Sequence, residues 1–116
     1  MGTLTTHILD TAGGRPAAGV PIELHRLGET PLLLIATRSN ADGRCDAPLL
    51  QGEAFAVGRY SLGFRVAEYF RGQGVALSDP PFLDHIVIHF AIAAAGQHYH
   101  VPLLVSPWSY STYRGS

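Results

Sequence analysis

Cysteine is nearly absent from this chain, and so is any block of like charge. A lone thiol, Cys45, closes no internal bridge, so the fold stands on its apolar core rather than on a disulfide framework. Only 15% of the residues are charged and the formal net charge is -1, with no basic stripe. That removes the electrostatic footprint needed by a partner such as nucleic acid or an anionic membrane. No apolar run reaches the roughly 20 residues of a membrane-spanning helix, and residues 1–7 carry neither the basic region nor the apolar stretch of a signal peptide. A cytoplasmic protein is the expectation. Two catalytic signatures are missing as well. There is no Gly-X-Ser-X-Gly nucleophile turn, and Gly72-Gln73-Gly74 does not follow a strand and open a helix as a phosphate loop must. Repeats, low-complexity tracts and linkers are also lacking.

What is present is apolar surface. A chain of 116 residues, 47% of them hydrophobic, suits a single domain over residues 1–116 that buries roughly two-thirds of its unfolded surface without a structural metal. Turn signals recur at short intervals: Gly13-Gly14-Arg15-Pro16, Gly28-Glu29-Thr30-Pro31, Asn40-Ala41-Asp42-Gly43, Gly72-Gln73-Gly74, Asp79-Pro80-Pro81 and Ala95-Gly96-Gln97. They leave segments too short for most helices. Strands are predicted over residues 3–10, 20–27, 32–39, 58–65, 85–93, 98–106 and 110–115. Seven or eight strands at this spacing indicate an all-β, two-sheet sandwich. Residues 66–71 are the exception: Val66, Tyr69 and Phe70 have i, i+3, i+4 spacing with Gly72 as a cap, which predicts a short helix.

Alternation sorts the strand residues by face. Leu4, Thr6 and Ile8 form the core face of the first strand, which sends Thr5, His7 and Leu9 outward. Tyr99, Val101, Leu103 and Val105 form the core face of the penultimate strand, which sends His98, His100, Pro102 and Leu104 outward. Pro102 cannot donate a ladder hydrogen bond and predicts a sheet edge, or a side left locally unpaired. An outward face that mixes Leu9, Pro102 and Leu104 with histidines is too apolar for plain solvent and predicts an interface or channel wall.

His7, His98 and His100 are candidates for proton transfer, since imidazole titrates near neutrality. Each taken singly is more often an ordinary strand histidine, and His25, His85 and His89 are left as such. A His-X-His pair also raises zinc, but only Asp10 or the chain's terminal carboxylate is at hand to complete a shell. Arg44, after the Asp42-Gly43 turn, can offer its planar fork to a carbonyl or carboxylate, although a solvated surface arginine is the commoner outcome. Residues 109–113 read as an edge strand, and Tyr113 becomes functional only if it turns toward the histidines. Cys45 carries no nucleophile signature.

Two long motifs lift these residues above their individual readings. Leu4-Thr5-Thr6-His7-Ile8-Leu9-Asp10 opens the chain. His98-Tyr99-His100-Val101-Pro102-Leu103-Leu104-Val105-Ser106-Pro107, then Tyr110-Ser111-Thr112-Tyr113 and Arg114-Gly115-Ser116, close it. Together they resemble the 5-hydroxyisourate hydrolase branch of the transthyretin-like family, from first strand to last residue. Residues 51–59 are the least similar stretch. The resemblance implies an eight-stranded β-sandwich with a helix after the fifth strand, and a homotetramer, built as a dimer of dimers, around a channel. It implies catalytic roles for His7, Arg44, His100 and Tyr113, with His98 and Ser116 as further substrate contacts. Transthyretin has Lys, Glu, Thr and Thr where this chain has those four. The implied reaction of urate degradation is hydrolysis of the N1–C6 amide of 5-hydroxyisourate, with no metal or organic cofactor. Its rival is a transthyretin-like carrier of a small aromatic ligand. Spacing does not decide which histidine is base and which acid.

Overall fold

Period-two alternation over residues 4–10 is followed residue for residue by the observed burial: Leu4, Thr6, Ile8 and Asp10 are buried, and Thr5, His7 and Leu9 are half-buried. In the computed structural model, which describes residues 2–115, this segment is strand β1 (Leu4–Asp10). After it come β2 (Arg15–Pro16), β3 (Pro21–Leu27), β4 (Leu32–Arg38), β5 (Gly58–Arg65), helix α1 (Val66–Gly72), β6 (His85–Ile92), β7 (Tyr99–Val105) and β8 (Tyr110–Thr112). A single 3-10 turn, Gly52–Ala54, precedes β5.

The strands form two four-stranded sheets, ordered β2-β1-β7-β8 and β4-β3-β5-β6. All pairings are antiparallel except one: β1 runs parallel to β7, with Leu4 opposite Tyr99 and Asp10 opposite Val105. The inner faces meet through Leu4, Ile8 and Leu103 from one sheet and Ile22, Leu24, Leu62 and Phe64 from the other, all with no exposed surface. Each such side chain contributes roughly 1.5–3 kcal/mol by leaving water. Helix α1 adds Val66, Tyr69 and Phe70 to the same core, as their spacing predicts. Among the described residues no helix is long and apolar enough to cross a membrane.

Three local expectations change. Arg15 and Pro16, inside a predicted turn, pair with Asp10 and Leu9 as the two-residue strand β2, too short to leave a periodic signal. Gly72 is the last helical residue rather than the cap. The left-handed position is Gly74 at φ 81°, where Gly74 N–H donates to Arg71 O and Val75 N–H to Phe70 O, a Schellman ending. Pro102 is buried in an interior strand, not at an edge. Its nitrogen faces β8, between the His100 and Gly115 bridge and the Leu103–Val105 ladder, so no donor is missed there. The side of β7 left locally unpaired is therefore the expectation that holds.

Candidate active site

The parallel pairing of β1 with β7 brings the two halves of the chain's ends together. Thr5 lies opposite His100 and His7 opposite Pro102, so the two histidines are diagonal neighbours on the outward face. Their ring centroids are 6.5 Å apart at an interplanar angle of 40°. His7 Nε2 lies 2.9 Å from the Asp42 carbonyl. A carbonyl only accepts, so Nε2 carries the proton and Nδ1 of a neutral His7 keeps its lone pair. His100 Nδ1 sits 2.8 Å from Thr5 Oγ1.

Arg44 reaches the same place through a tightly bonded loop. Asn40 Oδ1 accepts from the backbone N–H groups of Asp42 (2.9 Å) and Arg44 (3.1 Å), while Asn40 N–H donates to Arg44 O (2.7 Å). The Asn40 amide also donates to Asp46 Oδ1 at 3.0 Å. Gly43, at φ 75°, makes the left-handed step that most side chains resist, and its carbonyl accepts from Ile8 N–H at 2.8 Å. The loop is thereby stitched to β1, and Arg44 forms a bridge with His7. The Arg44 side chain is exposed and makes no ion pair among the described residues, so its donors remain available.

Thr3, Thr5, Arg44, His98 and His100 line an open cleft of about 390 Å³. Burial, then the positive charges of Arg44 and His7, push His100 below the ordinary histidine range. His100 is therefore a neutral imidazole at pH 7, able to accept a proton, beside a guanidinium that can hold negative charge. His98 is exposed on the same wall, and its Nδ1 accepts from Thr3 N–H at 3.2 Å. Cys45 lies in an adjoining depression, with burial and then Asp46 raising its thiol pKa.

The remaining candidates are placed differently. Tyr113 is 60% exposed and borders another cleft, between the sheet edges, with Phe90, Tyr99 and Val101. It does not line the cleft of His98 and His100. Ser116 lies outside the described residues. Arg114 ties the last segment down, its guanidinium 4.0 Å from the Tyr99 ring centroid and donating to His98 O (3.0 Å) and Gln97 Oε1 (3.1 Å). Asp10, considered for a zinc shell, is on the core face, where it accepts from Tyr69 Oη and Gly13 N–H. Among the described residues no three His, Cys, Asp or Glu side chains are grouped to hold a metal ion.

Sequence reasoning passed over Thr5 and the Asp42 carbonyl. Alternation put Thr5 on the face of His7, and that was the available signal. A backbone carbonyl leaves none.

The model of the HIUase/transthyretin family matches residues 4–115 of this chain. The 5-hydroxyisourate hydrolase of Pseudomonas aeruginosa is 58% identical over 117 residues, covering 100% of this chain and 93% of its own. The solved structure of an (S)-allantoin synthase superposes with a TM-score of 0.95 at 50% identity, covering 99% of this chain but 44% of that one. The shared unit is thus part of a larger protein there. Sea bream transthyretin in complex with thyroxine gives a TM-score of 0.86 at 26% identity, covering 97% of this chain and 94% of its own. The sandwich is shared with that transthyretin, while sequence identity is higher to the 5-hydroxyisourate hydrolase.

Proposed function

The chain belongs to the HIUase/transthyretin family, and we infer that it is an enzyme that hydrolyses the N1–C6 amide of 5-hydroxyisourate, giving 2-oxo-4-hydroxy-4-carboxy-5-ureidoimidazoline. The observation that carries this reading is the meeting of His7, His100 and Arg44 on one outward face. A carrier of an apolar ligand has little use for two imidazoles and an uncommitted guanidinium.

In the proposed reaction His100 is the base. Its free nitrogen takes a proton from water as the water oxygen attacks C6. The C6 carbonyl electrons move onto oxygen, and Arg44 holds the developing negative charge. Collapse of the tetrahedral intermediate breaks the C6–N1 bond, and N1 takes back the proton from the imidazolium. His7, anchored on the Asp42 carbonyl, orients the water or shares the proton. Tyr113, His98 and Ser116 are proposed to hold the substrate ring.

The reading includes a homotetramer, a dimer of dimers with this face turned into a channel. The open cleft and the half-buried Leu9 and Leu104 further along the same face support that assembly, because a facing copy would exclude water from both. We place the enzyme in the cytoplasm, where a lone thiol such as Cys45 stays reduced.

The test follows the ultraviolet decay of freshly made 5-hydroxyisourate. Wild-type protein should accelerate it and His100→Ala should not; equal rates from both would sink the assignment of His100. A chelator should leave the wild-type rate unchanged, and a large loss would revive a metal-dependent mechanism.

A further inference from the structure

His100 is held on two sides. Its Nδ1 meets Thr5 Oγ1 at 2.8 Å, across the β1 and β7 ladder. Its Cδ2 edge lies against Gly115, where an added Cβ would stand 3.0 Å from Cδ2 and 3.1 Å from the His100 Cβ. The His100 and Gly115 backbones exchange hydrogen bonds of 3.2 and 2.7 Å, so this side of the contact is fixed by main chain. With Nδ1 and Cδ2 both occupied, the ring presents Nε2 and Cε1 to the cleft.

The neighbouring pair shows what distinguishes this contact. His98 Nδ1 faces both Thr3 Oγ1, at 3.1 Å, and Thr3 N–H, at 3.2 Å. A backbone N–H can only donate, so His98 Nδ1 is an acceptor and the proton of its neutral ring is on Nε2. Thr3 has that N–H to spare because it precedes β1. Thr5 is inside the strand, on the same alternation phase as Thr3, whose carbonyl accepts from Tyr99 N–H, so its backbone N–H is committed to β7. Only the hydroxyl meets His100, and a hydroxyl can accept as well as donate.

We propose that Thr5 is a positioning residue that accepts the Nδ1–H of His100 and so keeps the Nε2 lone pair in the cleft. The proposal rests on the reading of His100 as the base. The Thr5 hydroxyl hydrogen then points into the cleft, whose wall Thr5 helps to form, and is free to meet solvent or substrate. Gly115 completes the arrangement by leaving room for the ring in this orientation.

The experiment combines a direct view of the ring with kinetics. In a long-range proton–nitrogen correlation spectrum of the wild-type protein above its His100 pKa, the His100 proton is expected on Nδ1, and that of His98 on Nε2. Thr5→Val, which keeps the shape and strand preference, should return His100 toward the Nε2–H form that free histidine favours in water. It should also lower kcat by about tenfold, as for one orienting hydrogen bond, with KM little changed. Thr5→Ser should restore both the spectrum and most of kcat. A wild-type His100 protonated on Nε2 would overturn the proposal, as would a Thr5→Val protein with unaltered spectrum and kcat. Loss of kcat without rescue by serine counts against it too. The spectrum is read without substrate, so a protein inactive on 5-hydroxyisourate would refute the function while the ring measurement still decided the role of Thr5.

Discussion

His7 on β1 and His100 on β7, a strand whose register partners lie 95 residues further along the chain, stand as diagonal neighbours with ring centroids 6.5 Å apart. At that distance His7 is one of the causes, after burial and Arg44, that hold His100 below the ordinary histidine range. In the proposed reaction they act on one proton inventory rather than as separate catalysts. His7→Ala and His100→Ala are each expected to lower kcat by about 10²–10⁴-fold. The double variant should fall within about tenfold of the poorer single, because removing a second member of one unit costs little more. Steady-state rates of the three proteins decide it; multiplicative losses would mean independent roles.

Arg44 should be visible in the protonation of His100. Burial is the first cause of the low His100 pKa, and the Arg44 charge is the second. Arg44→Met should therefore raise it toward the ordinary histidine range. Because the proposed reaction uses the neutral ring, the acid limb of kcat/KM should move to higher pH, with the plateau lying above it. A proton NMR titration of His100 in the substrate-free protein separates this from lost substrate binding. Stability has the matching sign: the unfolded ring binds a proton more readily than the folded one. The folded state therefore loses stability as pH falls below about 6.5. An unmoved titration in Arg44→Met would assign the whole shift to burial and His7.

Much of the site was legible because alternation is a local property. The faces of β1 and β7 could be read from residues 4–10 and 98–105 alone, and they put His7, His98 and His100 outward, as found. Helix α1 was legible for the same reason, through Val66, Tyr69 and Phe70. The parallel pairing that sets Thr5 against His100 was not, because it joins strands separated by most of the chain and no local motif encodes it. Pro102 misled in part for this reason: the sequence shows a missing donor but not which neighbour has no need of it. The placement of Tyr113 was equally hidden, since no local pattern shows its neighbour Arg114 anchoring on the Tyr99 ring and His98 O. Motif resemblance pointed to the residues without supplying these contacts.

Gly43 holds Arg44 in place, and its replacement should cost activity and stability together. Alanine there would combine a left-handed backbone, at φ 75°, with a Cβ driven into the Ile8 carbonyl and 3.1 Å from Pro16 Cβ. The backbone alone costs about 1–2 kcal/mol, and the collision adds to it. Gly14, at φ 68° with nothing near an added Cβ, is the control. Gly14→Ala should show only the backbone cost, in urea unfolding, and keep kcat/KM. Gly43→Ala should be the less stable of the two and lose kcat/KM at least tenfold, on the order of 1.4 kcal/mol. Matching behaviour of the two variants would show that the Gly43 turn does not position Arg44.

The buried end of β1 makes a prediction at alkaline pH. Asp10 is 4% exposed, and its two oxygens accept from Tyr69 Oη at 2.9 Å and Gly13 N–H at 2.7 Å, joining the strand to helix α1. Burial and the Asp10 carboxylate push the Tyr69 phenol up to about 12. Between about 10 and 12 the unfolded phenol has lost its proton while the folded one keeps it. Stability from this group is thus whole below pH 10 and drains away as pH rises, on the order of 2–3 kcal/mol in all. Tyr69→Phe should cost about 1–3 kcal/mol at pH 7, by leaving a carboxylate oxygen without its donor. It should also flatten the alkaline decline, since phenylalanine has no proton to lose. Urea unfolding of both proteins at pH 7, 10 and 11 tests the two effects together. If the variant loses as much stability as wild type between pH 10 and 11, the alkaline sensitivity originates elsewhere, and the Asp10 contact works only as an ordinary hydrogen bond.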